Sequence, residues 1–246
     1  MRIETNSNQT IQQKEPLKEK KVKKHTKKRI VWLVILIIII ALPVMVIGAT
    51  GMFNIPLISH VFGSNKPADL GIKPSEVAFE SIMKTFPVEF KGDPNSFSGI
   101  GNKEFNGKIS VDAQYTSEEI TSILDHYLQN APHVRDIQVK YVEGGMEISA
   151  FVKTYINAPI YAKVGVNRLT NKSVEINLQS IRVGIIPFPK KYYAQIEKAA
   201  EDILNNRFAK IDSISIDQLE YHDGYSYLKG TAPASVQMLP GEENIF

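Results

Sequence analysis

From Ile30 to Phe53 the chain reads IVWLVILIIIIALPVMVIGATGMF, 24 residues without a charged side chain. A helix rises about 1.5 Å per residue, so this segment reaches roughly 36 Å, enough to cross a hydrocarbon core of about 30 Å with some tilt. Residues Ile30 to Ile39 are all apolar, and each Ile, Val or Leu favours insertion by a few tenths of a kcal/mol. Pro43 is tolerated in such spans. A helix that is apolar on every side must be covered all round, and nothing else in the chain is fitted to cover one so long. A cleaved signal peptide is the rival reading, with an apolar region of about 7–15 residues ending in small residues. Here the run is longer, 29 residues precede it, and Ile47-Gly48-Ala49 makes a poor cleavage site. An uncleaved single-pass anchor over 30–53 is expected.

Charge sets its orientation. The formal net charge of +3 conceals a division: residues 1–29 hold ten Lys and Arg against three Glu, and the remaining chain holds 19 basic against 23 acidic groups. Cytoplasmic flanks carry the excess of Lys and Arg, so 1–29 is expected inside and the C-terminal part outside the plasma (cell) membrane. The tail 1–29 has too few apolar residues to bury a core and is expected to be disordered. Lys20, Lys21, Lys23, Lys24, Lys27, Lys28 and Arg29 form a membrane-surface cluster, each attracted to anionic lipid by about 1 kcal/mol. With an acidic remainder, no nucleic-acid partner is expected. The chain has no cysteine, which excludes disulfides, thiolate metal sites, a cysteine nucleophile and an acylated lipoprotein Cys.

Residues 54–69 read as a connector broken by Pro56, Gly63 and Pro67, and 70–232 as one extracytoplasmic domain. A short helix is expected near 74–86, from Phe79, Ile82, Met83 and Phe86 at helical spacing. The glycine-rich stretch 91–107 reads as an irregular loop. Strands are expected over 108–115, 136–142, 146–155, 160–168 and 173–183, with a bulge near Gln179 where the apolar phase shifts. Thr116 with Glu119 makes a capping box for a long helix. A second long helix is expected over 190–207, with Ile196, Ala199, Ala200, Ile203 and Leu204 inward. A hairpin joins 211–221 to 225–232 across His222-Asp223-Gly224, and 233–246 reads as a loose tail. The expected fold class is α+β: a mainly antiparallel curled sheet of about six strands, two long helices and one short one, the helices on one face.

Catalytic signatures are lacking. His25, His60, His126, His133 and His222 form no HExxH or other paired metal spacing, and there is no GxSxG elbow. Gly99-Ile100-Gly101 has no third glycine and no following Gly-Lys-Ser/Thr, so it makes no phosphate loop. Glu118-Glu119 and Glu201-Asp202 are neighbours on helices, where adjacent side chains diverge by about 100°. They read as helix-start charge and a solvated face. No catalytic residue, metal or cofactor is expected, and the chain is read as non-enzymatic.

Four segments carry a family likeness: Asp69-Leu70-Gly71-Ile72 before the short helix, the Thr116–Ile120 helix start, Ile181–Pro189 entering the second long helix, and Ile214–Tyr221 turning at Asp223-Gly224 toward Leu228-Lys229-Gly230-Thr231. In their order and spacing they resemble the YpmS and LmeA-like group of singly anchored extracytoplasmic bacterial domains. The resemblance implies a sheet curled around helices, similar in outline to lipid-carrier modules, and a role in envelope lipid or glycolipid handling; it offers no catalytic residues. A candidate apolar groove follows, comprising Ile120, Leu124, Leu128, Ile148, Ala150, Val152, Ala162, Val164, Ile176, Ile196, Ala200 and Ile203. Small residues inside a curled sheet leave room for a ligand, or they simply permit close helix–sheet packing. Two functions stand against each other: a tethered module binding a lipid or other amphiphile, and a scaffold binding an envelope protein or cell-wall polymer through 91–107 or the tail.

Overall fold

The structure is a computed structural model that describes residues 65–86, 88–91, 103–128, 133–153 and 156–238, together with Met45 and Thr50. The basic tail and its cluster, the 30–53 span apart from those two residues, the connector up to Ser64 and the end of the tail lie outside the described residues. Among the described residues, no helix is long and apolar enough to cross a membrane.

The elements run α1 (Glu76–Thr85), β1 (Glu89–Lys91), β2 (Lys103–Asn106), β3 (Ile109–Thr116), α2 (Ser117–Leu128), β4 (Val134–Val142) and β5 (Gly145–Val152). They continue with β6 (Ala158–Thr170), β7 (Ser173–Val183), β8 (Ile186–Pro187), a 3-10 turn (Lys190–Tyr192), α3 (Tyr193–Lys210), β9 (Ser215–His222), β10 (Tyr225–Ala232) and β11 (Ser235–Met238). The class is α+β, as expected. The strands form three sheets, ordered β1-β11-β2, β3-β10-β9 and β4-β5-β6-β7-β8. All pairs are antiparallel except β1 with β11.

Local chemistry builds these elements as the sequence suggests. Ser75 caps α1, its hydroxyl accepting the Ala78 N–H at 3.2 Å. At α2 the capping box closes both ways: Thr116 N–H donates to Glu119 Oε2 at 2.8 Å, and Glu119 N–H to Thr116 Oγ1 at 3.2 Å. The bulge is present too. Lys163 opposes Ser180 and Val164 opposes Leu178, which leaves Gln179 unpaired.

The expectation of one curled sheet of about six strands is corrected. Lys103–Asn106 is a strand inside the stretch 91–107 read as loop, of which 92–102 lie outside the described residues, Glu89–Lys91 is a strand that runs into its start, and Ser235–Met238 is a strand in the segment read as a loose tail. β11 runs between β1 and β2, with Val236 opposite Phe90 and Phe105. A strand of three or four residues shows no usable alternation, and its partners lie more than a hundred residues away, so local periodicity could not reveal it. This small sheet helps close the main core. Ile82, Val88, Val111, Tyr115, Ala232 and Val236 are buried together, with Phe86, Ile109, Ala113, Ile120, Ile123 and Leu228 packed against them. Full burial of such side chains contributes about 1.5–3 kcal/mol each.

Three tyrosines where the sheets meet give a pH signature. Burial pushes Tyr115 and Tyr141 up to about 12 from the ordinary 10, and raises Tyr221 as well. Below pH 10 both the folded and unfolded chains keep these protons. As pH rises from 10 toward 12 the unfolded chain releases protons that the folded chain retains, so stability falls across that window. Absorbance titration of the phenolates should show these tyrosines ionising only with unfolding; a titration complete by pH 11 with the fold intact would contradict their burial.

Candidate functional site

Residues directly opposite one another in a sheet point to the same face. Ile148 opposes Ala162, Ala150 opposes Ile160, and Val152 opposes Ala158. Val164 opposes Leu178, Val166 opposes Ile176, and beyond the bulge Ala162 opposes Ile181 and Ile160 opposes Val183. The candidate strand residues Ile148, Ala150, Val152, Ala162, Val164 and Ile176 therefore share one apolar face of the five-stranded sheet. The bulge at Gln179 keeps Ile181 and Val183 on that face. The other face is largely polar. It carries Glu147, Ser149, Lys163, Tyr161, Ser180 and Arg182, with the Arg182 guanidinium 4.1 Å from the Tyr161 ring centroid.

The long helices stand along the edges of this sheet, which corrects the expectation that they cover a face. On the β4 edge, Val139 N–H donates to Thr121 Oγ1 at 2.9 Å and Tyr141 N–H to Ser117 Oγ at 2.8 Å; Thr121 returns its own proton to the Val139 carbonyl at 3.1 Å. On the β7 edge, α3 uses a row of side chains at four-residue spacing. The N–H groups of Ile181, Leu178, Ile176 and Val174 donate to Tyr193 OH, Glu197 Oε1, Glu201 Oε1 and Asn205 Oδ1 at 2.7–2.9 Å. Four helical residues advance about 6 Å and two strand residues about 6.6 Å, so the two rows stay in step. Open edges invite pairing with other chains; here side-chain acceptors occupy them. Thr121 is wholly buried, so Thr121→Val, which keeps its shape, should cost about 2–4 kcal/mol by stranding a donor and an acceptor. Denaturant unfolding would measure this, with Thr121→Ser retaining most of the stability.

The helical candidates behave differently from the strand ones. Ile120 packs into the main core. Leu124 and Leu128 are half-buried. On α3, Ile196 and Ala200 are half-buried in the row beside the polar one, while Ile203 is 55% exposed and Ala199 is exposed. No residue of α3 is fully buried, because its docking stripe is polar. Glu201, read as part of a solvated face, is an edge acceptor; its neighbour Asp202 does face solvent and pairs with Lys198 at 3.0 Å.

One end of the apolar face is closed. β9 crosses the β4–β5 and β6–β7 turns, with Gly144 N–H donating to the Tyr221 carbonyl at 3.2 Å and Ile216 N–H to the Asn171 carbonyl at 2.8 Å. The Tyr141 and Tyr221 rings meet there, 5.8 Å apart. Toward the opposite end Val152, Ile160, Ala162, Ile181 and Val183 are only half-buried. The result is an apolar strip bounded by a helix at each edge and by β9 at one end.

A second concavity of about 450 Å³, which the sequence did not disclose, is lined by Lys103, Phe105, Gly107, Lys210, Ile211, Asp212 and Ser213. Burial and the nearby Arg207 hold the Lys103 ammonium below the usual lysine range. Two of its lining residues, Lys103 and Phe105, belong to β2, inside the stretch read as loop. Among the described residues no group of three His, Asp or Glu side chains is placed to hold a metal ion. No known family model, curated protein or solved structure matches the chain.

Proposed function

We propose that this chain is a non-enzymatic domain of the cell envelope, held beyond the membrane by the 30–53 anchor, that binds a lipid or other amphiphile along the apolar strip. One observation carries the reading: six candidate residues from three strands share a face, and the flanking helices bond to the sheet's edges instead of lying over it. Ala150, Val164 and Ile176 are buried by the protein itself, so the part left to a narrow apolar ligand is the half-buried stretch around Val152, Ala162, Ile181 and Val183, where burial yields about 0.8 kcal/mol per CH₂. The likeness to the YpmS and LmeA-like group points the same way. The scaffold alternative is favoured by a different feature, the cleft with Lys103 and Lys210 on its lining, which suits an acidic polymer. Photolabelling separates the two. In membranes carrying a photoactivatable phospholipid, the full chain should be labelled in β5, β6 and β7 as well as in 30–53. Label confined to 30–53 would reject the amphiphile reading.

A further inference from the structure

Beside the open end of the strip, the β7–β8 turn carries Gly184 and Ile185 at its tip. Pairing of Arg182 with Pro187 and of Val183 with Ile186 fixes it, and Gly184, at φ +59, donates its N–H to the Pro159 carbonyl at 2.7 Å. Phe188 N–H donates to the Ile181 carbonyl at 2.8 Å, and Tyr192 N–H to the Pro189 carbonyl at 3.1 Å. These bonds hold an apolar projection in place: Ile185 is 43% exposed and Tyr192 40% exposed. The Phe188 and Tyr192 rings lie 5.8 Å apart, with Lys191 Nζ 4.9 Å from the Tyr192 ring centroid. Lys190 and Lys191 are exposed. From 176 to 196 the sequence contains Arg182, Lys190 and Lys191 and no acidic residue.

We propose that this tip docks onto an anionic lipid surface, with Ile185 and Tyr192 entering the headgroup region and Lys190 and Lys191 meeting lipid phosphates. An exposed aliphatic side chain on the β7–β8 turn, with a tyrosine and a pair of lysines on the 3-10 turn that follows β8, is the chemistry of an interfacial anchor, where amphipathic rings sit at headgroup level and each basic residue gains about 1 kcal/mol. A soluble acidic polymer would use the lysines but leave Ile185 in water. The chain supplies proximity as well. Phe53, the last residue of the expected span, lies 12 residues before Asn65, a tether of at most about 40 Å. Docking here presents the open end of the apolar strip to the bilayer, so an amphiphile passes between membrane and strip without crossing water. The proposal rests on the reading that 30–53 is a membrane anchor, but not on occupancy of the strip.

The chain has no native cysteine, so Ile185→Cys accepts one environment-sensitive fluorophore without background. In the full chain reconstituted into phosphatidylcholine vesicles containing phosphatidylglycerol, the probe should be blue-shifted and quenched by lipid-borne quenchers, unlike a probe at Gln114→Cys, an exposed position on β3. Lys190→Gln with Lys191→Gln should reduce the docked-to-free ratio on the order of thirtyfold, about fivefold per lysine. Added salt should do the same in part. A carbonate-resistant chain whose Ile185→Cys probe is as wet as the Gln114→Cys probe overturns the proposal while leaving the anchor standing. A probe shielded by added polyphosphate but not by anionic lipid overturns it as well. A chain stripped from vesicles by carbonate overturns the anchor and the proposal together. Photolabelling of β5–β7 reports separately on the strip.

Discussion

Ala162→Trp is expected to cut lipid photolabelling of β5, β6 and β7 by at least about tenfold while leaving the domain folded. Ala162 sits in the half-buried part of the strip, opposite Ile148 on β5 and Ile181 on β7. An indole there lies over the positions an acyl chain would use, and a tryptophan covers roughly 150–250 Å². Losing contact with several methylenes at about 0.8 kcal/mol each is enough for a loss of this size. Because the site is not fully packed, the added volume should cost stability less than the 1–3 kcal/mol typical of overpacking a closed core. Ala162→Ser, which leaves the strip open, should keep most of the labelling. Equal labelling of the wild-type and Ala162→Trp chains, with both folded, would place the lipid elsewhere.

A large stability effect is expected at Gly145. It opens β5 in a backbone that any residue can adopt, but a Cβ there would run into the Val164 carbonyl oxygen and crowd the Gly165 Cα. Both obstacles are main chain, and Val164 belongs to the ladder that sets the strip's register. Gly145→Ala should therefore cost about 3 kcal/mol or more, the range of severe overpacking. Gly144 provides a control one residue away. It has φ +73 with open space around a would-be Cβ, so Gly144→Ala carries only the left-handed backbone cost of about 1–2 kcal/mol. Unfolding curves in denaturant should rank the two in that order. The reverse ranking would mean that β5 does not approach β6 so closely.

These neighbouring glycines illustrate what was legible in the sequence. Gly144 and Gly145 fall between the expected strands 136–142 and 146–155, but only the paired strand reveals which glycine is needed for space and which for conformation. Features written in consecutive residues were readable: the Thr116/Glu119 box, the alternation along β5 and β6, and the phase shift at Gln179. Features that depend on a distant partner were not. β11 has no reason to be a strand until β1 and β2 are beside it. The polar row Tyr193, Glu197, Glu201 and Asn205 resembles any wet helix face until an unpaired strand edge with matching spacing stands opposite. A row of acceptors at four-residue spacing beside an apolar row was the available signal, and it was masked by the assumption that helices dock through their apolar stripe. The strand half of the candidate site was therefore found together, whereas the helical half scattered among the core, the margins of the strip and solvent.

The central claim is that an amphiphile occupies the apolar strip. Its most direct test begins with the full chain folded in its membrane, carrying a protease site in the connector before Ser64, so that the domain is released without refolding. Mass spectrometry of an organic extract of the released, washed domain should find lipid at close to one molecule per chain, and markedly less from Ala162→Trp treated identically. A released domain that is folded, carries no lipid and is indistinguishable from Ala162→Trp would contradict the account.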